Sequence, residues 1–260
     1  METDMPITLE RRDATAWITL NRPGELNAIS PEMLAALMVA LDEVEADDAL
    51  RVIIITGSGR AFSAGADLAF AQTITEDPGP FERFINEIGR VFNRIEAFPI
   101  PTIGALNGLT LAGGLELALC CDLLIAAESA RIGDAHANFG LLPGAGNSVR
   151  LPQRIGLTQA KYLLFTGEFV PAQRMVEAGL VLETVPDEEL HGRAQQLADA
   201  IAAKSPLGLR TMKSLVNAAI DDTQAVALEA ERKALAAHLS SDDLREGLAA
   251  FNEKRAPQFG

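Results

Sequence analysis

The chain has 260 residues and a mass of 27.7 kDa, room for one large domain with or without an appendage at roughly 150 residues per domain. Hydrophobic residues make up 48% and charged residues 22%, an ordinary globular balance that excludes a disordered tail or a fibrous protein. Lys and Arg number 22 against 36 Asp and Glu, for a net charge of −14, so nucleic acid and anionic membranes, repelled overall, are not expected partners.

Residues 7–9 and 14–20 have short β-rich patterns divided by the charged residues 10–13, which predicts a hairpin. The first twelve residues carry Glu2, Asp4 and Glu10 without an apolar run, so no secretory signal is read there. Ser30 then has the chemistry of an N-cap and Pro31 that of a first helical residue, with Leu34, Leu37, Met38 and Leu41 at helical spacing and an end near Asp47. Residues 51–56 contain an unbroken Val52-Ile53-Ile54-Ile55, the pattern of a strand covered on both faces.

Phe81, Phe84, Ile85, Ile88, Phe92 and Ile95 predict a second amphipathic helix, after which Pro99 and Pro101 turn the chain into a strand at 102–106. The uncharged stretch 97–115 is no membrane span, because prolines, glycines and Asn107 interrupt it and Glu116 follows at once. Residues 123–126 and 181–185 read as further strands, and alternation of strands with helices makes the class α/β. From about Leu190 onward only helices are expected, at 206–219, 223–239 and 242–251, the last capped by Ser241. Cys120 and Cys121 are adjacent, so they can neither staple distant segments nor supply paired zinc-site spacing. A reducing, cytoplasmic setting is expected, and no metal site is read.

Three segments could carry chemistry. In residues 110–119 Gly113 and Gly114 open an apolar helix whose only charge is Glu116; free amides at such a start can receive an oxyanion. The alternative is a tightly packed helix with Glu116 paired to an arginine, yet a carboxylate in apolar surroundings needs a reason. Residues 59–68 follow a buried strand and offer small residues whose amides a ligand could reach; Ser63 lacks the Gly-x-Ser-x-Gly spacing of a hydrolase nucleophile and is expected to be solvated. Around His136, an extended backbone would place Asp134 on the same face and orient the imidazole for proton transfer; a loop histidine beside an incidental acid stands equally open. His191 and His238 read as structural. Neither glycine motif of a phosphate or dinucleotide site is complete.

Taken in order, Arg22-Pro23 with Asn27-Ala28, Ala61-Phe62-Ser63-Ala64-Gly65-Ala66-Asp67-Leu68, Asn107-Gly108 with Ala112-Gly113-Gly114-Leu115-Glu116-Leu117, Cys121-Asp122, Leu142-Pro143-Gly144-Ala145-Gly146 and the ending Phe251-Asn252-Glu253-Lys254-Arg255 closely resemble the enoyl-CoA hydratase/isomerase family, the crotonases. The resemblance spans nearly the whole chain. It implies a crotonase-like spiral of strand-strand-helix repeats over 1–195 and a helical oligomerisation region over 196–260 that builds a homotrimer or hexamer. It maps an oxyanion hole for an acyl-CoA thioester onto the amides of Ala64 and Gly113, an adenine-binding backbone onto Ala64, Gly65, Ala66, Asp67 and Leu68, an entrance strand near Leu26 and Ala28, and a late basic contact onto Lys254. Coenzyme A enters as part of the substrate, with no separate cofactor.

The family's hydratases use two glutamates. Glu116 matches the first, and His136 stands where the second would be. The resemblance therefore implies reversible hydration of a 2-enoyl-CoA, with His136 as proton donor, or alternatively an isomerase or hydrolase working through His136. A catalytically silent acyl-CoA-binding subunit is the reading from outside enzymology.

Overall fold

The computed structural model describes residues 5–67 and 77–260. Strands β1 (Ile7–Arg12) and β2 (Thr15–Leu20) form the antiparallel hairpin. Charged residues 10–12, expected in the loop, belong to β1, which lies at the sheet edge where charge is tolerated. The turn sits at Asp13 and Ala14, with Asp13 at φ +51°, and Arg12 lies over the Trp17 ring, 4.4 Å from its centroid. Helix α1 (Pro31–Glu45) starts as expected, Ser30 Oγ accepting from Met33 N–H at 3.3 Å, and buries Leu34, Leu37 and Leu41.

After it the chain alternates between two sheets. Strand β3 (Val52–Gly57), buried throughout, joins the first, and β4 (Ala61–Ser63) the second. Helix α2 (Gly79–Glu96) leads to β5 (Thr102–Leu106) and β6 (Leu109–Leu111), then to the short α3 (Gly113–Leu119). Strands β7 (Leu123–Ala127) and β8 (Arg131–Gly133) repeat the step before α4 (Asn147–Thr166). Then come β9 (Val170–Pro171), α5 (Ala172–Glu177) and β10 (Glu183–Val185). The six-stranded sheet has the order β1-β2-β3-β5-β7-β10 and the four-stranded sheet β4-β6-β8-β9. Each turn thus gives one strand to each sheet, which is the expected spiral.

Because β4, β6 and β8 are parallel neighbours, with Ser63 opposite Thr110 and Leu111 opposite Gly133, the three loops that leave their C-terminal ends emerge side by side. Strand ends of this kind are where α/β folds gather ligand-binding groups.

Helix α6 (Leu190–Ala202) runs unbroken across the expected division at 195/196. Leu190, Ala194 and Ala198 are buried in the main core, and Gln195 Oε1 accepts from Trp17 Nε1–H of β2 at 2.7 Å, so the core continues to Ala202. The helical region then comprises α7 (Pro206–Ala218), α8 (Gln224–His238) and α9 (Asp242–Glu253). Among the described residues no helix is long and apolar enough to cross a membrane.

One ion pair fastens α7 to the core. Lys213 Nζ donates to Asp122 Oδ2 at 2.7 Å and to Ile100 O at 3.1 Å, while the same Asp122 oxygen accepts from Thr102 N–H and Oγ1–H. Replacing Lys213 by Met leaves Asp122 short of its charged donor; a hydrogen bond to a charged group is worth about 2 kcal/mol. Denaturant unfolding of Lys213→Met should show a loss of that order, and an unchanged midpoint would mean that the pair does not hold α7.

Candidate active site

The loop after β4 is shaped by buried polar groups. Asn27, at φ +55°, uses its side-chain amide to bond Ala61 O at 2.7 Å and Ser58 O at 2.9 Å, and its Oδ1 accepts from Arg22 N–H at 2.8 Å. Ser63 is fully buried rather than solvated: Oγ donates to Asn27 O at 2.9 Å and accepts from Gly65 N–H at 3.2 Å. Main-chain bonds from Ile29 N–H to Gly65 O and from Asp67 N–H to Ile29 O then pin residues 65–67. In this bridge the Ala66 amide points away from Ile29.

The loop after β6 meets it directly. A β-carbon on Gly114 would lie 2.1 Å from Ser63 O, so only glycine lets α3 begin hard against β4. A β-carbon on Gly113 would lie 3.3 Å from the Ala66 amide nitrogen. Among the described residues neither the Ala66 nor the Gly113 N–H donates to a protein acceptor. Ala64, expected as the first hole donor, is different: its N–H is committed to Leu26 O at 3.0 Å. The adjacent pair of open amides is therefore Ala66 with Gly113.

Glu116 lies on α3, 3% exposed. Its partners are main-chain amides rather than a cation: Oε1 accepts from Ala145 N–H at 2.8 Å and Asn147 N–H at 3.2 Å. Burial raises its pKa above the usual carboxylate value, opposed by those two amides and by the charge of His136. The supporting loop is itself clamped. Arg150 Nη1 donates to Ala145 O at 2.7 Å, and Nε and Nη2 reach Glu96 at 3.0 and 2.7 Å.

His136 leaves β8 in a short 3-10 turn, His136–Phe139, after Ala135 at φ +64°, so the extended backbone expected around it is absent. The pairing with Asp134 forms nonetheless, His136 Nδ1 lying 2.9 Å from Asp134 Oδ1, because the tight turn folds the imidazole back onto the acid. Burial works to lower the pKa of His136, but the hydrogen bond and charge of Asp134, with Glu116 adding to them, outweigh it and leave the group raised. Asn147 joins the two, its N–H donating to Glu116 Oε1 at 3.2 Å and its side-chain amide to Asp134 Oδ1 at 2.6 Å, so the structure brings Glu116 and His136 into one centre.

The enoyl-CoA hydratase/isomerase family profile matches residues 10–260. The chain belongs to the enoyl-CoA hydratase/isomerase family. It is 37% identical over 255 residues to the crotonyl-CoA hydratase of Syntrophomonas wolfei subsp. wolfei, covering 97% of each chain. Identity to the short-chain-enoyl-CoA hydratase of Clostridium acetobutylicum is 33% over 251 residues, covering 96% of this chain and 95% of that one. The crystal structure of enoyl-CoA hydratase from Bacillus anthracis superposes with a TM-score of 0.93 at 35% identity over 98% of each chain. This is an enzyme with the crotonase fold.

In this hydratase/isomerase family member Leu26 and Ala28 do not form a strand. They follow a 3-10 turn, Pro23–Glu25, with Leu26 and Asn27 both left-handed, and in that conformation the buried Asn27 side chain meets Arg22, Ser58 and Ala61. Asp67 pairs with Arg22 at 3.0 Å. Leu68 lies outside the described residues. Lys254 ends α9 in the left-handed conformation, exposed, and makes no hydrogen bond or ion pair with the Glu116 centre. Sequence reasoning missed Ala145 and Asn147, whose only signal was the glycine-flanked motif at 144–146.

Asp134 should hold the His136 charge. A histidine raised on folding gives stability that is complete below its unfolded value of ~6.5 and is lost as pH rises through the folded value. Asp134→Asn should therefore lower the imidazole titration followed by NMR, and its stability deficit should shrink on the alkaline side. An unmoved titration would show that the contact carries no charge coupling.

Proposed function

We propose that this enzyme adds water reversibly to the double bond of a 2-enoyl-CoA. The reading rests on one observation: a buried carboxylate and a histidine share a centre beside two open main-chain amides on adjacent loops. The thioester oxygen is assigned to the amides of Ala66 and Gly113, which polarise the carbonyl and leave the β-carbon electron-poor. Glu116 takes a proton from water as the oxygen attacks that carbon. The displaced π electrons collect on the thioester oxygen as an enolate, and removing one donor from such a hole typically costs about 3–4 kcal/mol. His136, cationic through Asp134, returns a proton to the α-carbon, so the sum is one water added. Proton transfer through solvent then resets Glu116 and His136.

The names of relatives, a crotonyl-CoA hydratase and a short-chain-enoyl-CoA hydratase, support an acyl-CoA substrate. We assign residues 64–68 and Lys254 to the coenzyme A portion. Apolar side chains exposed along the last two helices and the turn between them, Leu235, Leu239, Leu248 and Phe251, support a homotrimer or hexamer. His136 in place of a glutamate supports the second reading, isomerisation or hydrolysis on the same hole. Product mass separates the three reactions: hydration adds a water, isomerisation leaves the mass unchanged, and hydrolysis divides the thioester.

Loss of the conjugated-thioester absorbance with crotonyl-CoA and longer homologues tests the assignment. Glu116→Gln should lower kcat by about 10²–10⁴, the usual contribution of a positioned acid or base. Full turnover in that variant would remove Glu116 from the reaction. The pH profile of kcat/KM should be bell-shaped, its acid limb above the usual carboxylate range and its alkaline limb above ~6.5; a flat profile across that window would contradict the pairing.

A further inference from the structure

Asn147 is a fully buried residue bonded to Glu116, to the acid that pairs with His136, and to the carbonyl that precedes Gly113. Its main-chain N–H donates to Glu116 Oε1 at 3.2 Å. Its side-chain Nδ2 donates to Asp134 Oδ1 at 2.6 Å, the same oxygen that lies 2.9 Å from His136 Nδ1. The second Nδ2 contact, longer at 3.4 Å, is to Ala112 O, the carbonyl of the peptide whose N–H belongs to Gly113. Both Nδ2 partners are acceptors, so the amide orientation is fixed by chemistry. The consequence is visible in the other half of the side chain: Oδ1 is buried and, among the described residues, has no hydrogen-bond partner. Leaving such an oxygen unpaired is unfavourable. The side chain keeps an orientation that serves Asp134 and Ala112 at the expense of its own oxygen.

We propose that Asn147 is a positioning residue that holds the base, the acid and the oxyanion donor in register. This inference rests on the hydration reading for the roles of those three groups. Its first residue position on α4, directly after the loop that carries the Ala145 amide, lets one residue fix Glu116 through the main chain and Asp134 through the side chain. Neutralising part of the Asp134 charge also limits how tightly that acid binds His136. The charged groups acting on His136 are Asp134 from its own loop and Glu116 from α3.

The test uses Asn147→Ala and Asn147→Ser, both of which keep the main-chain N–H on Glu116. In Asn147→Ala the His136 titration, read by NMR without substrate, should rise by about half a pH unit, since Asp134 loses a competing donor. With crotonyl-CoA, kcat should fall about 10²-fold, the scale of a misplaced catalytic group, while KM stays within threefold. Asn147→Ser, whose hydroxyl is a smaller donor, should restore part of both. If Asn147→Ala does not fold, Asn147→Ser decides alone by showing the same shifts at smaller amplitude. An unmoved titration with kcat unchanged, or kcat and KM lost together with the thermal midpoint, overturns the proposal. A shifted titration in a protein that hydrates no enoyl-CoA would sink the hydration reading and leave the Asn147 link standing. Hydration by wild type with an unmoved titration would do the reverse.

Discussion

A carboxylate taken out of water and hydrogen-bonded by main-chain amides, with no arginine or lysine paired to it, is the constraint around which this site is built. Glu116 rests on the amides of Ala145 and Asn147, which stabilise the anion less than burial destabilises it, so its affinity for a proton rises. That balance suits a base working near neutral pH. It also demands that the loop bearing the amides stay fixed, and the Arg150–Glu96 clamp on Ala145 O meets the demand. Gly114 contributes from the other side, because without its close approach to Ser63 α3 could not start where it does.

The spiral explains how distant stretches of chain reach one point. Three neighbouring parallel strands end together, delivering the Ala66 amide, the Gly113 amide with Glu116, and the Asp134–His136 pair. No long lever arms are needed. Each group leaves its strand within a few residues, so its position is set by sheet register. The buried side chains of Asn27 and Ser63 then do for the first loop what the 3-10 turn at His136 does for the third: they fold the chain tightly enough for backbone groups to face one another.

Much of this was legible in the sequence because the signals are local. The Ser30 cap, the apolar run at 52–55 and the spacing of Phe84, Ile88, Phe92 and Ile95 each predict an element that the structure contains. Glu116 was legible as an anomaly, a lone charge in an apolar helix. What could not be read were features that depend on non-local pairing. Charged residues 10–12 look like a loop until β1 is seen to be an edge strand. Ser63 looks solvated until Asn27 O arrives to bond it. The choice between Ala64 and Ala66 as open amide turns on which N–H the neighbouring chain consumes, and Leu26 O takes that of Ala64. Helix α6 spans the expected division at 195/196 with Ala194 and Ala198 buried in the main core, a contact that leaves no break in helical spacing.

The proposed chemistry depends on where the carbonyl sits, and a structure with a slowly reacting acyl-CoA thioester bound is its sharpest test. The thioester oxygen should lie about 2.7–3.1 Å from both the Ala66 and Gly113 nitrogens, with the α-carbon facing His136 and the β-carbon facing Glu116. A thioester oxygen seated away from those two amides, or a Glu116 carboxylate turned from the acyl chain, would contradict it.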